Sequence, residues 1–173
     1  MTEPVTGPPT AINAQAPVVG RSEIEVAASP EAVWEVLTAF ERWPRWNSEV
    51  KSMSMEGPVS PGTVFRWKAG PGTITSTIQQ VEPPRLIAWT GKTLGIDAIH
   101  FWYLEPRDGA TLVRTEESYE GLVARILRGS LQKTLDRALA DGLRALKAEV
   151  EGAGARDQRG LGAARTRAGS APP

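Results

Sequence analysis

The sequence of 173 residues contains no cysteine and one histidine, His100. Without cysteine there is no disulfide framework, no thiolate metal site and no cysteine nucleophile. A single histidine also excludes an HExxH motif and any multi-histidine metal centre. The sequence has no Walker loop, no dinucleotide-binding glycine fingerprint and no GxSxG elbow. We therefore expect neither a metal nor a cofactor.

The chain also lacks an excess of charge of one sign and any long apolar run. Twenty Lys and Arg residues balance twenty Asp and Glu residues, so no overall field attracts nucleic acid or an anionic membrane. No apolar stretch approaches the ~18 residues that span a bilayer. Residues 1–20 have neither the basic start nor the apolar core of a secretory signal. These absences predict a cytoplasmic protein with no nucleic-acid partner and no integral membrane segment, and they leave the oligomeric state open.

Composition divides the chain into three parts. Residues 1–21 are rich in proline and poor in charge, which predicts a disordered N-terminal tail. Residues 153–173 are rich in Gly, Ala and Arg without apolar periodicity, which predicts a disordered C-terminal tail; a basic tail that contacts nucleic acid is the alternative. Residues 22–152 lie between them and are numerous enough to bury a core. We expect one domain there.

The domain begins with alternating apolar and polar residues at 22–28, a pattern typical of a strand. Ser29, Pro30 and Glu31 then predict a helix start, because they suit the cap, the first helical position and the positive end of the helix dipole. Six more strands are predicted, each followed by turn residues, at 49–55, 63–69, 73–81, 85–90, 96–104 and 110–119. The short loops between them predict an antiparallel sheet.

Residues 121–150 have the pattern of an amphipathic helix. Its apolar side consists of Leu131, Leu135, Ala138, Leu139, Gly142, Leu143, Leu146 and Val150. Gly129 and Ser130 predict a break or bend near its start. Gly142, on the apolar side, either allows close contact with the sheet or leaves room for a guest molecule. Strands followed by one long helix predict an α+β domain with the helix on one face of the sheet.

Tryptophan is unusually frequent among the aromatic residues, with six Trp against three Phe and two Tyr. Trp43 and Trp46 precede the second strand, Phe65 and Trp67 share the inward face of the third, Trp89 lies on the fifth and Trp102 on the sixth. Indole rings offer apolar area and one hydrogen-bond donor, which suits recognition of a bulky apolar ligand. Filling the core is the alternative.

His100 and Glu117 are predicted to face the same interior from two paired strands. His100 alternates with Trp102, and Glu117 alternates with Thr115 and Tyr119. A buried carboxylate requires a partner, and an imidazolium is a suitable one. The pair is either an acid/base or polar anchor within a pocket or a structural contact between the strands.

Several segments together resemble the START-like SRPBCC superfamily, in particular its polyketide cyclase/dehydrase and lipid-transport branch. They are residues 29–37 (SPEAVWEVL), 43–47 (WPRWN), 82–89 (EPPRLIAW), 100–104 (HFWYL), 108–109 (DG) and 115–118 (TEES). The similarity covers about residues 22–152. It implies a helix-grip fold, in which a curved seven-stranded antiparallel sheet wraps a long C-terminal helix and encloses an apolar cavity.

The resemblance leaves three functions open. The first is binding of a bulky apolar small molecule, a lipid or a polyketide-like compound, in that cavity. The second is a polyketide cyclase or dehydratase, with His100 as general base oriented by Glu117. The third is a regulatory module that binds another protein in an apolar groove. The expected lining comprises Trp46, Phe65, Trp67, Trp89, His100, Trp102, Thr115, Glu117, Tyr119, Leu135, Ala138, Leu139 and Gly142.

Overall fold

The computed structural model describes residues 7–168, and side chains as far as residue 154. One antiparallel sheet of seven strands runs in the order β1-β7-β6-β5-β4-β3-β2. Its strands are β1 (Val18–Val26), β2 (Val50–Met55), β3 (Val64–Ala69), β4 (Gly72–Glu82), β5 (Leu86–Thr93), β6 (Ile96–Arg107) and β7 (Ala110–Glu120). All but one of the neighbouring pairs are consecutive in sequence, as the short loops predicted, and β1 closes the order beside β7.

Four helices accompany the sheet: α1 (Pro30–Thr38), α2 (Trp43–Trp46), α3 (Leu122–Ile126) and α4 (Arg128–Ala168), with a 3₁₀ turn at Phe40–Arg42. The α1 helix begins as predicted, because the backbone N–H of Ala32 donates to the Ser29 hydroxyl and Pro30 takes the first helical position. The curved antiparallel sheet with a long C-terminal helix confirms the helix-grip fold. No helix in the described part of the chain is long and apolar enough to cross a membrane.

The α4 helix runs along the free edge of β1 and supplies hydrogen-bond partners to its backbone. The Gln132 side chain accepts from the N–H of Val19 and donates to its carbonyl, at 3.2 and 2.8 Å. Further along, Lys147 donates to the carbonyl of Glu25 at 2.6 Å, and Glu151 accepts from the N–H of Ala27 at 2.8 Å. These contacts cover an edge that would otherwise present unpaired groups.

The stretch of α4 from Leu143 to Val150 packs tightly over the sheet. Leu143 and Leu146 belong to the same buried cluster as Val33 and Leu37 of α1. In the same cluster Phe40 packs against Phe65, with ring centroids 4.8 Å apart and ring planes tilted by 41°. The main core therefore lies beneath α1 and the stretch of α4 from Leu143 to Val150, and the part of α4 before Leu143 covers a different region.

The ordered structure begins earlier than residue 22, where the sequence analysis placed the start of the domain. Strand β1 starts at Val18, which is fully buried. Ile12 is buried with Ala88 and Phe101 on the outer face of the sheet, and Asn13 donates from its backbone N–H to the Ser118 hydroxyl at 3.2 Å. The proline-rich, charge-poor composition of this segment gave no sign that a few of its apolar residues cover the outer face of the sheet. Residues 1–6 of the predicted tail lie outside the described residues.

The C-terminal helix also differs from its predicted limits. Its break falls at Leu127, between α3 and α4, whereas Gly129 and Ser130 lie inside the first turn of α4. At the other end the backbone stays helical to Ala168, where a disordered tail from residue 153 was predicted. Apolar periodicity does stop at Val150, but alanine and arginine favour helix and no proline intervenes before residue 172. The last five residues lie outside the described part.

Candidate ligand cavity

A cavity of about 270 Å³ lies between the sheet and the first half of α4. Its walls come from β2 to β7, from α4, and from α2 with the segment that joins it to β2. Most of the lining is apolar. Glu49, Gly70, Pro71, Thr134 and Ala138 line it and are exposed, so the cavity opens between α4 and the turn that connects β3 to β4. A second depression, around Thr38–Arg42 and Met55, is shallow and open.

Small residues on three neighbouring strands form the floor of this cavity. Ser76 of β4 pairs with Gly91 of β5, and Gly91 pairs with Ala98 of β6. All three face inward and line the cavity. Because inward side chains elsewhere on these strands are large, this row of short side chains leaves empty volume where a packed core would continue. The absence of bulk at these positions creates the cavity.

Gly142 lies opposite the sheet on α4, and a methyl group there would meet open space. An added Cβ would have only one heavy atom within 4 Å, the side-chain nitrogen of Asn47 at 3.9 Å. Of the two roles considered for this glycine, leaving room is the one that the structure shows. Close helix–sheet contact occurs instead at Gly20 of β1, where a Cβ would lie 2.8 Å from Leu135 and from Leu139.

The aromatic residues divide between core and cavity. Trp43, Trp67, Trp89 and Trp102 line the cavity. Trp43 and Trp89 lie 5.9 Å apart between ring centroids, and Phe65 packs behind Trp89 at 5.7 Å. The indole N–H groups of Trp43 and Trp67 donate to the Leu37 carbonyl and the Ser76 hydroxyl. The rings therefore extend the core and form one wall of the cavity at the same time.

One row of paired residues crosses the sheet beneath the cavity. Trp89 pairs with His100, His100 with Glu117, and Glu117 with Gly20. The imidazole of His100 lies between two indoles, 4.8 Å from Trp89 and 5.4 Å from Trp102. The missing side chain at Gly20 lets α4 approach next to Glu117. This row places His100 and Glu117 on one interior surface, as strand alternation predicted.

Both nitrogens of His100 are turned toward the protein. Nε2 lies 2.7 Å from the hydroxyl of Thr115, which is itself 3.2 Å from the carbonyl oxygen of Phe101. Nδ1 is buried and lies 3.5 Å from Oε1 of Glu117, without the alignment of a hydrogen bond. The ring face lines the cavity, but neither nitrogen is presented to a guest. Glu117 keeps 11% of its side-chain surface and is the more accessible member of the pair.

Tyr119 stands beside Glu117 on the cavity wall. Burial, followed by the negative charge and hydrogen bonding of Glu117, raises the pKa of the Tyr119 phenol well above its ordinary value. The phenol therefore keeps its proton throughout the neutral range and acts as a donor. Glu117 and Tyr119 give a mostly apolar cavity a polar corner.

Nine of the thirteen residues expected to bind ligand line the cavity: Trp67, Trp89, His100, Trp102, Glu117, Tyr119, Ala138, Leu139 and Gly142. The other four lie behind the wall. Phe65 and Leu135 are buried in packed clusters, Thr115 supports His100 from beneath, and Trp46 packs against the core while its neighbour Asn47 reaches the cavity.

Sequence reasoning missed several lining residues, above all Ser76, Gly91 and Ala98. Gly91 was taken as the end of a strand at residue 90, but β5 continues through it to Thr93. A glycine at an inward position of a strand signals space or close approach as well as a turn. Trp43 was noted among the aromatics but not assigned to the site. Across the described residues, no three His, Asp or Glu side chains converge to hold a metal.

A seven-stranded sheet around a long helix, with an apolar cavity between them, defines a START-like protein. A sequence profile of the family described as polyketide cyclase / dehydrase and lipid transport matches residues 18–151. The chain therefore belongs to this family. Membership supports a role in hydrophobic ligand binding or of the polyketide cyclase type. Among proteins of curated function, none matches the sequence significantly.

Solved structures share the fold at low sequence identity. A hypothetical protein from Helicobacter pylori is 18% identical with a TM-score of 0.72, covering 87% of this chain and 99% of its own. A START superfamily protein from Mycobacterium smegmatis is 19% identical with a TM-score of 0.68, covering 77% and 97%. The Zhui aromatase/cyclase from Streptomyces sp. R1128 is 18% identical with a TM-score of 0.67, covering 77% and 93%. At these identities the likeness concerns the fold alone.

Proposed function

We propose that the protein binds a bulky, mostly apolar small molecule, a lipid or a polyketide-like compound, in the cavity beneath α4. The observation that carries this proposal is the cavity itself, built by Ser76, Gly91 and Ala98 opposite Gly142 and bordered by indole rings. Packed interiors hold few voids larger than a water molecule. A volume of about 270 Å³ is near the lower end of the ~300–1,000 Å³ found for small-molecule sites.

The polar corner defines how such a ligand would be oriented. Glu117 accepts hydrogen bonds, and Tyr119 keeps its proton and hydrogen-bonds with Glu117 beside it. The indole N–H of Trp102 is buried and has no acceptor among the described residues, an arrangement that costs about 1–3 kcal/mol. A ligand with one hydroxyl or carbonyl group and an apolar body matches this distribution. Because the cavity opens beside Thr134 and Ala138, a longer apolar chain has room to extend outward.

A polyketide cyclase-type reaction is the second candidate, and the position of Glu117 favours it. A carboxyl group and a protonated phenol meet at the cavity wall, which is the kind of pair that moves protons at a bound carbonyl compound. Because both nitrogens of His100 face the protein, Glu117 would contact the substrate in such a reaction and His100 would position it. This exchanges the roles that the sequence assigned to the two residues.

Tryptophan fluorescence tests the proposed binding, because indole rings line the cavity and their emission follows local polarity. We expect a saturable change when long-chain fatty acids or flat polyphenols are added to the wild-type protein. Ala98→Leu extends a side chain from the floor into the cavity and should abolish the change, whereas Ala98→Ser, which keeps the side chain small, should retain it. Melting curves of both variants check that the fold is intact. The absence of any saturable response across a broad panel would remove the support for this proposal.

A further inference from the structure

Large apolar side chains project into solvent at the end of the molecule where α3 meets the turn between β5 and β6. Leu94 is 66% exposed, Leu122 70%, Ile126 71% and Leu127 50%. Of the large apolar residues that are exposed in the described part, only Val64 on β3 lies elsewhere. We call Leu94, Leu122, Ile126 and Leu127 the apolar tip.

The α3 helix buries a small residue and exposes its large apolar residues, which is the reverse of an ordinary surface helix. Its one buried residue is the small Ala124, while Leu122 and Ile126, four positions apart and therefore on the same face, point outward. The usual pattern places large apolar residues toward the core. Two close approaches hold the helix in this orientation: a Cβ on Gly95 would be 3.2 Å from Val123, and one on Gly121 would be 2.4 Å from the carbonyl oxygen of Gly95.

Leu94 has a backbone conformation that disfavours leucine. It precedes Gly95 in the two-residue turn between β5 and β6, with a φ of 45°, the left-handed region. Asparagine or glycine normally fills this place in such a turn, and a bulky residue there is an outlier. The leucine gains little from burial, because most of its surface is exposed. An outlier of this kind points to a function of the side chain rather than to stability of the hairpin.

Cations outnumber acidic groups around the apolar tip. Between Glu120 and Asp136 the chain carries Arg125, Arg128 and Lys133 and no acidic residue, and these three side chains are exposed. Of the two nearest acids, Asp97 is paired with Lys92 and Glu120 accepts a hydrogen bond from the side chain of Asn13. The chain as a whole has no net charge, yet this end presents a local excess of cations.

From these observations we infer that the apolar tip docks on a lipid bilayer that contains anionic headgroups. Apolar side chains that project from a turn and a short helix, with guanidinium groups between them, match the boundary between acyl chains and anionic headgroups. A partner protein would instead need a groove or pocket to anchor in. The tip adjoins the cavity, since Thr93 and Ile96 flank its turn and also line the cavity. The docking surface exists independently of the ligand proposed above.

Flotation of the full-length protein with vesicles tests this inference. We expect the protein to float with vesicles of phosphatidylcholine plus phosphatidylserine, and less with phosphatidylcholine alone. Leu94→Asn combined with Ile126→Ser should weaken binding about tenfold or more, because two buried apolar side chains are lost. Arg125→Gln and Arg128→Gln should each weaken binding to the anionic vesicles about fivefold, and added salt should have a similar effect.

Matched control variants distinguish binding through the apolar tip from non-specific binding to vesicles. Val64→Asn removes the exposed apolar side chain on β3, and Lys51→Gln with Arg66→Gln removes two exposed cations from β2 and β3; these variants should float like the wild type. Leu94→Asn suits the left-handed turn and should melt no lower than the wild type. The inference is overturned if the wild type floats with neither vesicle, or if the tip variants bind as well as the controls.

Discussion

The chemistry of the cavity depends on how His100 is held. Thr115 engages Nε2 from beneath, Glu117 faces Nδ1, and two indoles flank the ring. The imidazole is therefore held through Nε2 and between two indoles, and the carboxyl group of Glu117 lines the cavity beside Tyr119. We interpret His100 as the residue that positions Glu117 on the cavity wall.

A double-mutant cycle measures this coupling. His100→Phe alone leaves Glu117 buried without its partner, so it should cost more stability than the same change made together with Glu117→Gln. We expect a coupling free energy of about 1 kcal/mol or more from chemical denaturation of the single and double variants. Glu116→Gln provides the control, because Glu116 faces the other side of the sheet and pairs with Arg21. Additive effects of His100→Phe and Glu117→Gln would mean that the two residues do not interact.

The same variants distinguish an anchor from a catalyst once a ligand is in hand. If the site only binds, both changes weaken affinity and the wild type converts nothing. If it catalyses proton transfer through Glu117, Glu117→Gln should lower turnover by about 10²–10⁴-fold while binding persists. We expect the first outcome.

At the scale of elements, two glycines determine how α4 lies over the sheet. Gly20 on β1 allows the leucines of α4 to approach closely, and Gly142 on α4 faces the cavity. The helix thus touches the sheet along β1 and stands away from the small residues of β4, β5 and β6. Close contact between α4 and β1 on one side, and the gap between α4 and the other strands, together produce the cavity.

Alanine substitutions at the two glycines should change the free energy of unfolding in opposite directions. Gly20→Ala places a methyl group 2.8 Å from two leucine side chains and should destabilise the protein by ~1–3 kcal/mol through overpacking. Gly142→Ala meets open space and should stabilise it by up to ~1 kcal/mol, because alanine is the better helix former. Thermal or chemical denaturation gives both values. Equal destabilisation by the two substitutions would show that no open space lies under Gly142.

For the whole molecule, the fold and part of the candidate site could be predicted from sequence patterns. The rest of the site depends on which residues of neighbouring strands lie opposite each other in the sheet. Alternation along single strands was enough to place His100, Trp102 and Glu117 inward. The floor was not predictable in this way, because Gly91 and Ala98 form one surface only after β5 and β6 are brought into register. A cavity forms where inward side chains are small or absent. The hydrophobic pattern of the sequence does not show where such positions come together.

The exposure of the side chains of the apolar tip was also not predictable from the sequence pattern. In the sequence, Leu122 and Ile126 continue the apolar pattern of the helical region, and nothing local marks them as solvent-facing. Their exposure follows from the break at Leu127 and from the close approach of Gly121 to Gly95. Tertiary contacts between glycines thus decide the orientation of a helix whose own sequence would favour burial.

Native mass spectrometry of freshly purified protein shows whether the cavity holds a small molecule. We expect the wild type to carry an additional small-molecule mass or to acquire one from a lipid extract. Gly142→Leu, which fills the cavity from the helix side, should be empty while remaining folded. Ala148→Leu, on an exposed position of the same helix, should behave like the wild type. A wild-type protein that neither carries nor takes up any small molecule, or a Gly142→Leu variant that binds as well as the wild type, would contradict the proposal that this cavity is the binding site.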